Sequence, residues 1–149
     1  MNGLVYLAGP MSGLTPGDAT DWRRWVSWEL AKDKIKTLSP MRDTDLMDPA
    51  APIRPHGYDG FLIGDRAALC RDLLDIKRAD VIVVNFLDAK RPSLGTAWEI
   101  GAARMADKPI VVCCEAGNIH EHALLKESAG YLVVRLEDAV ECVKTLMGV

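Results

Sequence analysis

Asp80-Val81-Ile82-Val83-Val84-Asn85-Phe86, followed after a turn by Pro92-Ser93-Leu94-Gly95-Thr96-Ala97-Trp98-Glu99-Ile100-Gly101, is the stretch on which the fold turns. Val81 to Phe86 is an almost unbroken apolar run, the pattern of a strand buried on both faces. The chain turns through Asp88 to Pro92, and the spacing predicts a helix from Thr96. Ala97, Gly101 and Met105 share one face of that helix, and Trp98, Ala102 and Met105 the neighbouring one. Glu99 then falls in the first helical turn. In a parallel sheet this turn lies at the carboxyl edge, where open α/β folds place their sites.

Working outward, Leu4 to Ala8 reads as a buried strand ending in the turn Gly9-Pro10-Met11-Ser12-Gly13, whose glycines let backbone approach a ligand. A helix is predicted from about Asp18 to Lys32, capped by Asp18 or Thr20, with Trp22, Trp25, Val26 and Leu30 on its apolar side. Ile35 to Leu38 is a short strand. Met41 to Gly64 has no sustained period and is rich in proline and glycine, which suggests a lid over the carboxyl edge.

Gly64-Asp65 opens another helix, running to about Arg78, with Leu69, Leu73 and Ile76 as its buried stripe. Asp72 falls inside that stripe, while Arg71 and Asp75 are placed on the polar side. Further strands are predicted at Pro109 to Cys114 and Tyr131 to Leu136. Helices follow near His120 to Ser128 and at Glu137 to Met147. Strands alternating with helices imply a single α/β domain, residues 1–149, with a five-stranded parallel sheet covered on both faces.

The net charge of −3 offers no basic footprint for a nucleic-acid polymer, and no run has the length of a membrane span. The N-terminus enters a strand directly, without a charged-then-apolar leader, so a cytoplasmic protein is expected. Cys70, Cys113, Cys114 and Cys142 lack metal-ligand spacing and read as buried free thiols.

Glu99 has two readings. Thr96-Ala97-Trp98-Glu99 fits a capping box, in which the glutamate only satisfies a backbone amide. Alternatively it is a carboxylate nucleophile or acid at the sheet edge. Asp72, an ionisable group on a core-facing stripe, is costly unless it has a partner or a task. Two carboxylates at one edge are the minimum equipment for cleaving a glycosidic bond. Tyr6 reads from pattern alone as an ordinary strand aromatic. Gly95-Thr96 at a helix start suits an anion or a plain cap, and Ser93 a loop position or a ligand to a sugar hydroxyl or phosphate. His120 and His122 fall on different faces of a helix, so a metal site is not expected, and exposed or interface positions are predicted for both.

Tyr6-Leu7-Ala8-Gly9-Pro10-Met11, Arg71-Asp72-Leu73, Ala79 to Val84 and Ser93 to Gly101 together resemble the nucleoside 2-deoxyribosyltransferase family, which includes the 2'-deoxynucleoside 5'-monophosphate N-hydrolases. The resemblance implies a flavodoxin/Rossmann-like three-layer sandwich and a covalent mechanism without metal or organic cofactor. It gives Glu99 the role of nucleophile at C1', Asp72 that of proton donor to the departing base, and Tyr6 that of positioning the nucleophile. Gly9, Pro10, Met11, Ser93 and Gly95 become the substrate-binding set. Where the transferases often carry an aspartate six residues before the nucleophile, this chain has Ser93, as the monophosphate hydrolases do. Those hydrolases, however, usually offer an arginine and a serine in the first loop, where this chain has Pro10 and Ser12. Lys90, Arg91 or Arg42 then stand as sources of charge for a phosphate.

The expected partners are a nucleoside or nucleotide, a free nucleobase, and further copies of the chain, with the segment Asn118 to Leu125 at the subunit boundary. Transfer of deoxyribose between bases is the first reading and hydrolysis of 5'-monophosphates the second. A non-catalytic nucleotide-binding protein on the same fold is the rival from another class.

Overall fold

The computed structural model describes residues 3–43 and 46–149. Ten elements follow in order: β1 (Leu4–Ala8), α1 (Pro16–Ala31), β2 (Lys36–Leu38), α2 (Asp65–Arg78), β3 (Val81–Asn85), α3 (Leu94–Met105), β4 (Ile110–Cys113), α4 (Ala123–Glu127), β5 (Tyr131–Val133) and α5 (Leu136–Met147). The strands form one parallel sheet in the order β2-β1-β3-β4-β5. Tyr6 pairs with Ile82, and Val84 with Val112. The order in which strands are added reverses between the parallel neighbours β1 and β3, so their carboxyl ends flank the crevice typical of such sheets.

The strand side chains divide the core in two. Val5, Leu7, Val83 and Val111 meet α1 and α5 on one face. Tyr6, Ala8, Ile82, Val84 and Val112 meet α2 and α3 on the other. Val81 to Val84 are at most 2% exposed, as expected of a strand covered on both faces. No helix among the described residues is long and apolar enough to cross a membrane.

Several local expectations are corrected. The α1 cap is Thr15, whose Oγ1 accepts from the Asp18 amide; Asp18 and Thr20 lie inside the helix. Proline at the first helical position explains the earlier start. α3 begins at Leu94, capped by Ser93, so Glu99 lies in its second turn and the Thr96–Glu99 capping box does not form. Its inward face is Thr96, Glu99, Ile100 and Ala103, whereas Met105 is 86% exposed.

On α2, Leu69 is exposed and Asp75 is fully buried, the reverse of the expected faces. Arg42 and Arg78 neutralise Asp75 at 2.6 and 2.8 Å, which makes burial of its charge tolerable. Cys113 and Cys114 are buried and Cys142 is half-buried, but Cys70 is exposed on α2.

The aperiodic segment from Met41 to Gly64 (residues 44 and 45 lie outside the described residues) is a stitched cover. Gly13 N–H donates to the Ile53 carbonyl at 2.8 Å, and Ile53 N–H to the Leu14 carbonyl at 2.7 Å. The Gly57 amide meets the Asp65 carboxylate at 3.1 Å. Met41 and Ile53 share a small core with Ala19. Arg71 donates to the Pro40 carbonyl and pairs with Asp43.

Candidate active site

Tyr6 leaves mid-β1 toward the α3 side because its strand neighbours Val5 and Leu7 point the other way. Its hydroxyl donates to Glu99 Oε1 at 2.6 Å, inside the core. Glu99 is 7% exposed. Burial pushes its carboxyl up to about 7; the Tyr6 hydrogen bond opposes the shift, the Asp72 charge adds to it, and Arg23 opposes it. The same burial and the Glu99 charge push the Tyr6 phenol far above its ordinary value, so it stays a hydrogen-bond donor at every physiological pH.

Asp72 comes from α2, with 15% of its side chain exposed. Burial raises its carboxyl to about 6 against the pull of Arg71, whose Nε lies 3.7 Å from Oδ1. Asp75 raises it further and Arg42 lowers it. Tyr6, Asp72 and Glu99 thus share one electrostatic environment, in which burial lifts both carboxyls above their ordinary range.

The binding candidates are placed less uniformly. Gly9 is a close-packed position: a Cβ there would come within 2.9 Å of the Asn85 carbonyl and 3.0 Å of Trp22. Its missing side chain therefore admits protein rather than a ligand on that side. Pro10 and Met11 are half-buried. The Ser93 hydroxyl bonds to Thr96 Oγ1 at 2.8 Å as part of the α3 cap, so a sugar or phosphate oxygen must compete with that bond. Beyond Gly95 there is open space. A cleft of about 400 Å³ opens beside the β1–α1 and β3–α3 loops, lined among others by Ser12, Trp22, Asn85, Lys90 and Arg91. Tyr6, Asp72 and Glu99 are not part of its lining. Arg42, considered above as a phosphate charge, is engaged by Asp75.

His120 corrects another expectation. It is buried and stacked on Phe86 with ring centroids 3.9 Å apart. Its Nε2 accepts from the Ser93 amide at 2.8 Å, which assigns the ring proton to Nδ1, facing Asn118 Oδ1 at 3.1 Å. Asn118 in turn donates to the Phe86 carbonyl at 2.7 Å. The ring thus seats the start of α3, which a solvent-exposed histidine would not do.

Burial lowers the pKa of His120 below its ordinary 6.5. The unfolded chain therefore takes up this proton first as pH falls. The His120 contribution to stability is complete above about pH 6.5 and is lost progressively below it. Thermal melts of wild type and His120→Gln across pH 5 to 8 should show a difference that shrinks toward acid. A constant difference would contradict the lowered pKa of His120.

Arg23 escaped the sequence reading although it lies four residues after Ala19 and three before Val26, within the apolar stripe of α1. Like Asp72, it is an ionisable group on a core-facing stripe, costly there unless it has partners. Asp75, Asn118 and Arg71 were missed as well; part of what holds each is distant in sequence, Arg42 for Asp75, Phe86 for Asn118 and Pro40 for Arg71.

The profile of the nucleoside 2-deoxyribosyltransferase family matches residues 5–134. No curated protein sequence matches the chain. Among solved structures it is similar to the Clostridium botulinum CMP N-glycosidase BcmB, with 15% identity, 95% of this chain and 98% of that one covered, and a TM-score of 0.58. BlsM in solution gives 24% identity, coverage of 95% and 87%, and a TM-score of 0.65. A 2-deoxyribosyltransferase from Leishmania mexicana gives 16% identity, coverage of 95% and 96%, and a TM-score of 0.64. At these identities the likeness establishes a shared fold. With the family profile spanning most of its length, the chain belongs to the nucleoside 2-deoxyribosyltransferase family, enzymes of glycosyl transfer and N-glycoside cleavage on nucleosides or nucleotides.

Proposed function

We propose that this protein cleaves the N-glycosidic bond of 2'-deoxynucleosides through Glu99 and passes the sugar to a second base. The observation that carries the reading is the buried 2.6 Å bond from Tyr6 to Glu99, in an environment shared with Asp72. A Glu99 carboxylate oxygen attacks C1' while the C1'–N bond breaks, and its electron pair leaves with the base. Asp72, protonated at the start, gives its proton to the departing nitrogen. The acceptor base then attacks C1' of the glycosyl ester, Glu99 departs as carboxylate, and Asp72 recovers a proton from the acceptor. Burial raises both carboxyls, Asp72 to about 6 and Glu99 to about 7, so they titrate as a coupled pair, and the reactive form is the one in which Asp72 carries the proton and Glu99 is ionised. No metal or organic cofactor enters these steps.

Hydrolysis of a 5'-monophosphate is the second reading. Pro92-Ser93-Leu94-Gly95 at the open start of α3, with Lys90 and Arg91 on the preceding loop, favours it. Water then replaces the acceptor base, and the balance depends on how dry the cover keeps the site. Assembly into a homodimer or larger oligomer belongs to the same reading. It is supported by the outward stripe of α3, where Leu94, Trp98 and Met105 are 84%, 45% and 86% exposed.

The test is a chromatographic assay of deoxynucleosides and their monophosphates, with and without a second free base. A new nucleoside formed only with acceptor establishes transfer. Free base released from monophosphates alone establishes hydrolysis. Ligand binding without product from any substrate returns the protein to the non-catalytic reading.

A further inference from the structure

The guanidinium of Arg71 sends its three nitrogens to three different acceptors. Nη2 donates to the Pro40 carbonyl at 3.3 Å and Nη1 reaches Asp43 Oδ2 at 3.4 Å, both on the cover. Nε lies 3.7 Å from Oδ1 of Asp72, the acid of the candidate site. That last separation is too long for a hydrogen bond. Arg71 Nε and Asp72 Oδ1 are both buried, and neither has a hydrogen-bond partner among the described residues. Among those residues Arg71 is also the one ion-pair partner of Asp72. A buried donor and a buried acceptor left unpaired are each costly, so the open gap calls for a reason.

The gap fits the proton that Asp72 handles. While Asp72 is protonated its oxygen is a weak acceptor, and the pair stays open. When the O–H bond breaks and the proton passes to the leaving nitrogen, the electron pair stays on Asp72 as carboxylate. Charged N–H···O bonds close to about 2.7–2.9 Å, so the pair shortens by roughly 1 Å at that moment. Arg71 remains a cation throughout, and the pair reopens when Asp72 takes its proton back. A bond made only as the carboxylate forms favours the transfer over the resting state. The rigid fork matters here: two Nη atoms held by the cover fix where Nε stands, which a single ammonium could not do. Arg42, the neighbouring cation on the cover, is committed to Asp75.

We propose that Arg71 is a positioning residue for the glycosidic site: anchored by Pro40 and Asp43, it ties the cover to Asp72 and closes on that carboxylate as the proton leaves. This rests on the reading of Asp72 as proton donor. The charged or titratable groups around Asp72 are Arg71 and Asp75 of α2, Arg42 of the cover, Tyr6 of β1, Glu99 of α3 and Arg23 of α1. Burial raises the Asp72 carboxyl, and Arg71 is the strongest influence that lowers it. Asp43 is exposed, so its substitution probes the tie without disturbing the core.

The first readout is the Arg71 Nε–H resonance in proton–nitrogen NMR across pH 4.5 to 8, assigned through its own side-chain connectivities. It should move downfield with the carbon-13 midpoint of the Asp72 carboxyl, about 6, and stay flat in Asp72→Asn. A wild-type resonance that does not follow Asp72 overturns the proposal. The second readout is a double-mutant cycle on the Asp72 midpoint. Arg71→Gln should raise it by about one pH unit or more, and carry the basic limb of kcat/KM upward with it. Asp43→Asn should lower it, since Arg71 then serves Asp72 alone. In the Arg71→Gln background the Asp43 substitution should have little effect. An equal fall in both backgrounds means that Asp43 acts on Asp72 directly, and overturns the tie through Arg71. If thermal melts show that Arg71→Gln does not fold, the Nε–H titration of wild type decides alone. Neither NMR readout needs turnover. A linked titration in a protein inactive on every substrate would sink the glycosidic reading and leave the tie between cover and Asp72 standing.

Discussion

Glu99→Gln should lower kcat by ~10³-fold or more on any substrate the wild type turns over, the scale seen when a nucleophile is removed. The amide keeps the shape of the side chain and can still accept the Tyr6 hydroxyl, so binding and fold persist while attack at C1' is lost. Stability should move the other way. With its pKa raised from 4.5 to about 7, Glu99 binds its proton more tightly in the folded state than in the unfolded one. Its contribution is therefore complete below about pH 4.5 and lost as pH rises to about 7, by an amount on the order of 3 kcal/mol. Denaturant melts at pH 5 and 8 should show wild type losing stability relative to Glu99→Gln at the higher pH. A residue that acted only as a helix cap would show neither the kinetic loss nor this crossover.

Asp72→Asn should cost about 10²- to 10³-fold in kcat, the range for a removed general acid. The loss should depend on the leaving base. Substrates whose base departs readily as an anion need the proton less, so the ratio of wild type to variant should shrink across a series of progressively better leaving groups. The basic limb of the pH profile should also disappear, because that limb reports loss of the donor proton. Since the Asp72 charge is one of the influences raising Glu99, the acid limb should move downward in the same variant. A uniform loss across leaving groups, with both limbs in place, would reduce Asp72 to a structural part of α2.

The sheet was legible because its strongest signal is local. Val81 to Phe86 announces a strand covered on both faces, and its register partners Ile110 to Cys113 repeat the pattern. Helix faces were harder to read, since a buried charge inverts the usual rule. Asp75 was placed in solvent on the strength of its charge, yet Arg78 one turn on and Arg42 from the cover segment both pair with it. Leu69 was placed inside and lies on an outer face of α2. The juxtaposition of Tyr6 and Glu99, 93 residues apart, has no local signature, and the family resemblance alone paired them. Arg23 was passed over inside the apolar stripe of α1, whereas His120 was placed outside because its sequence neighbours Glu121 and His122 are polar, and its stacking partner Phe86 lies on another element.

The stitching of the cover bears on how members of this fold can be recombined. Residues from Pro40 to Gly57 are tied to the β1–α1 loop at Gly13 and Leu14, to the start of α2 at Asp65 and to its middle at Arg71 and Asp75. Two of those ties lie within three residues of Asp72. A chimera that transplanted this segment alone would keep Arg78 beside Asp75 but replace Arg42, and would have to rebuild the backbone bonds of Ile53 with Gly13 and Leu14. Specificity exchanged in this scaffold must travel as a three-part module of first loop, cover and α2, and the proton donor travels with it.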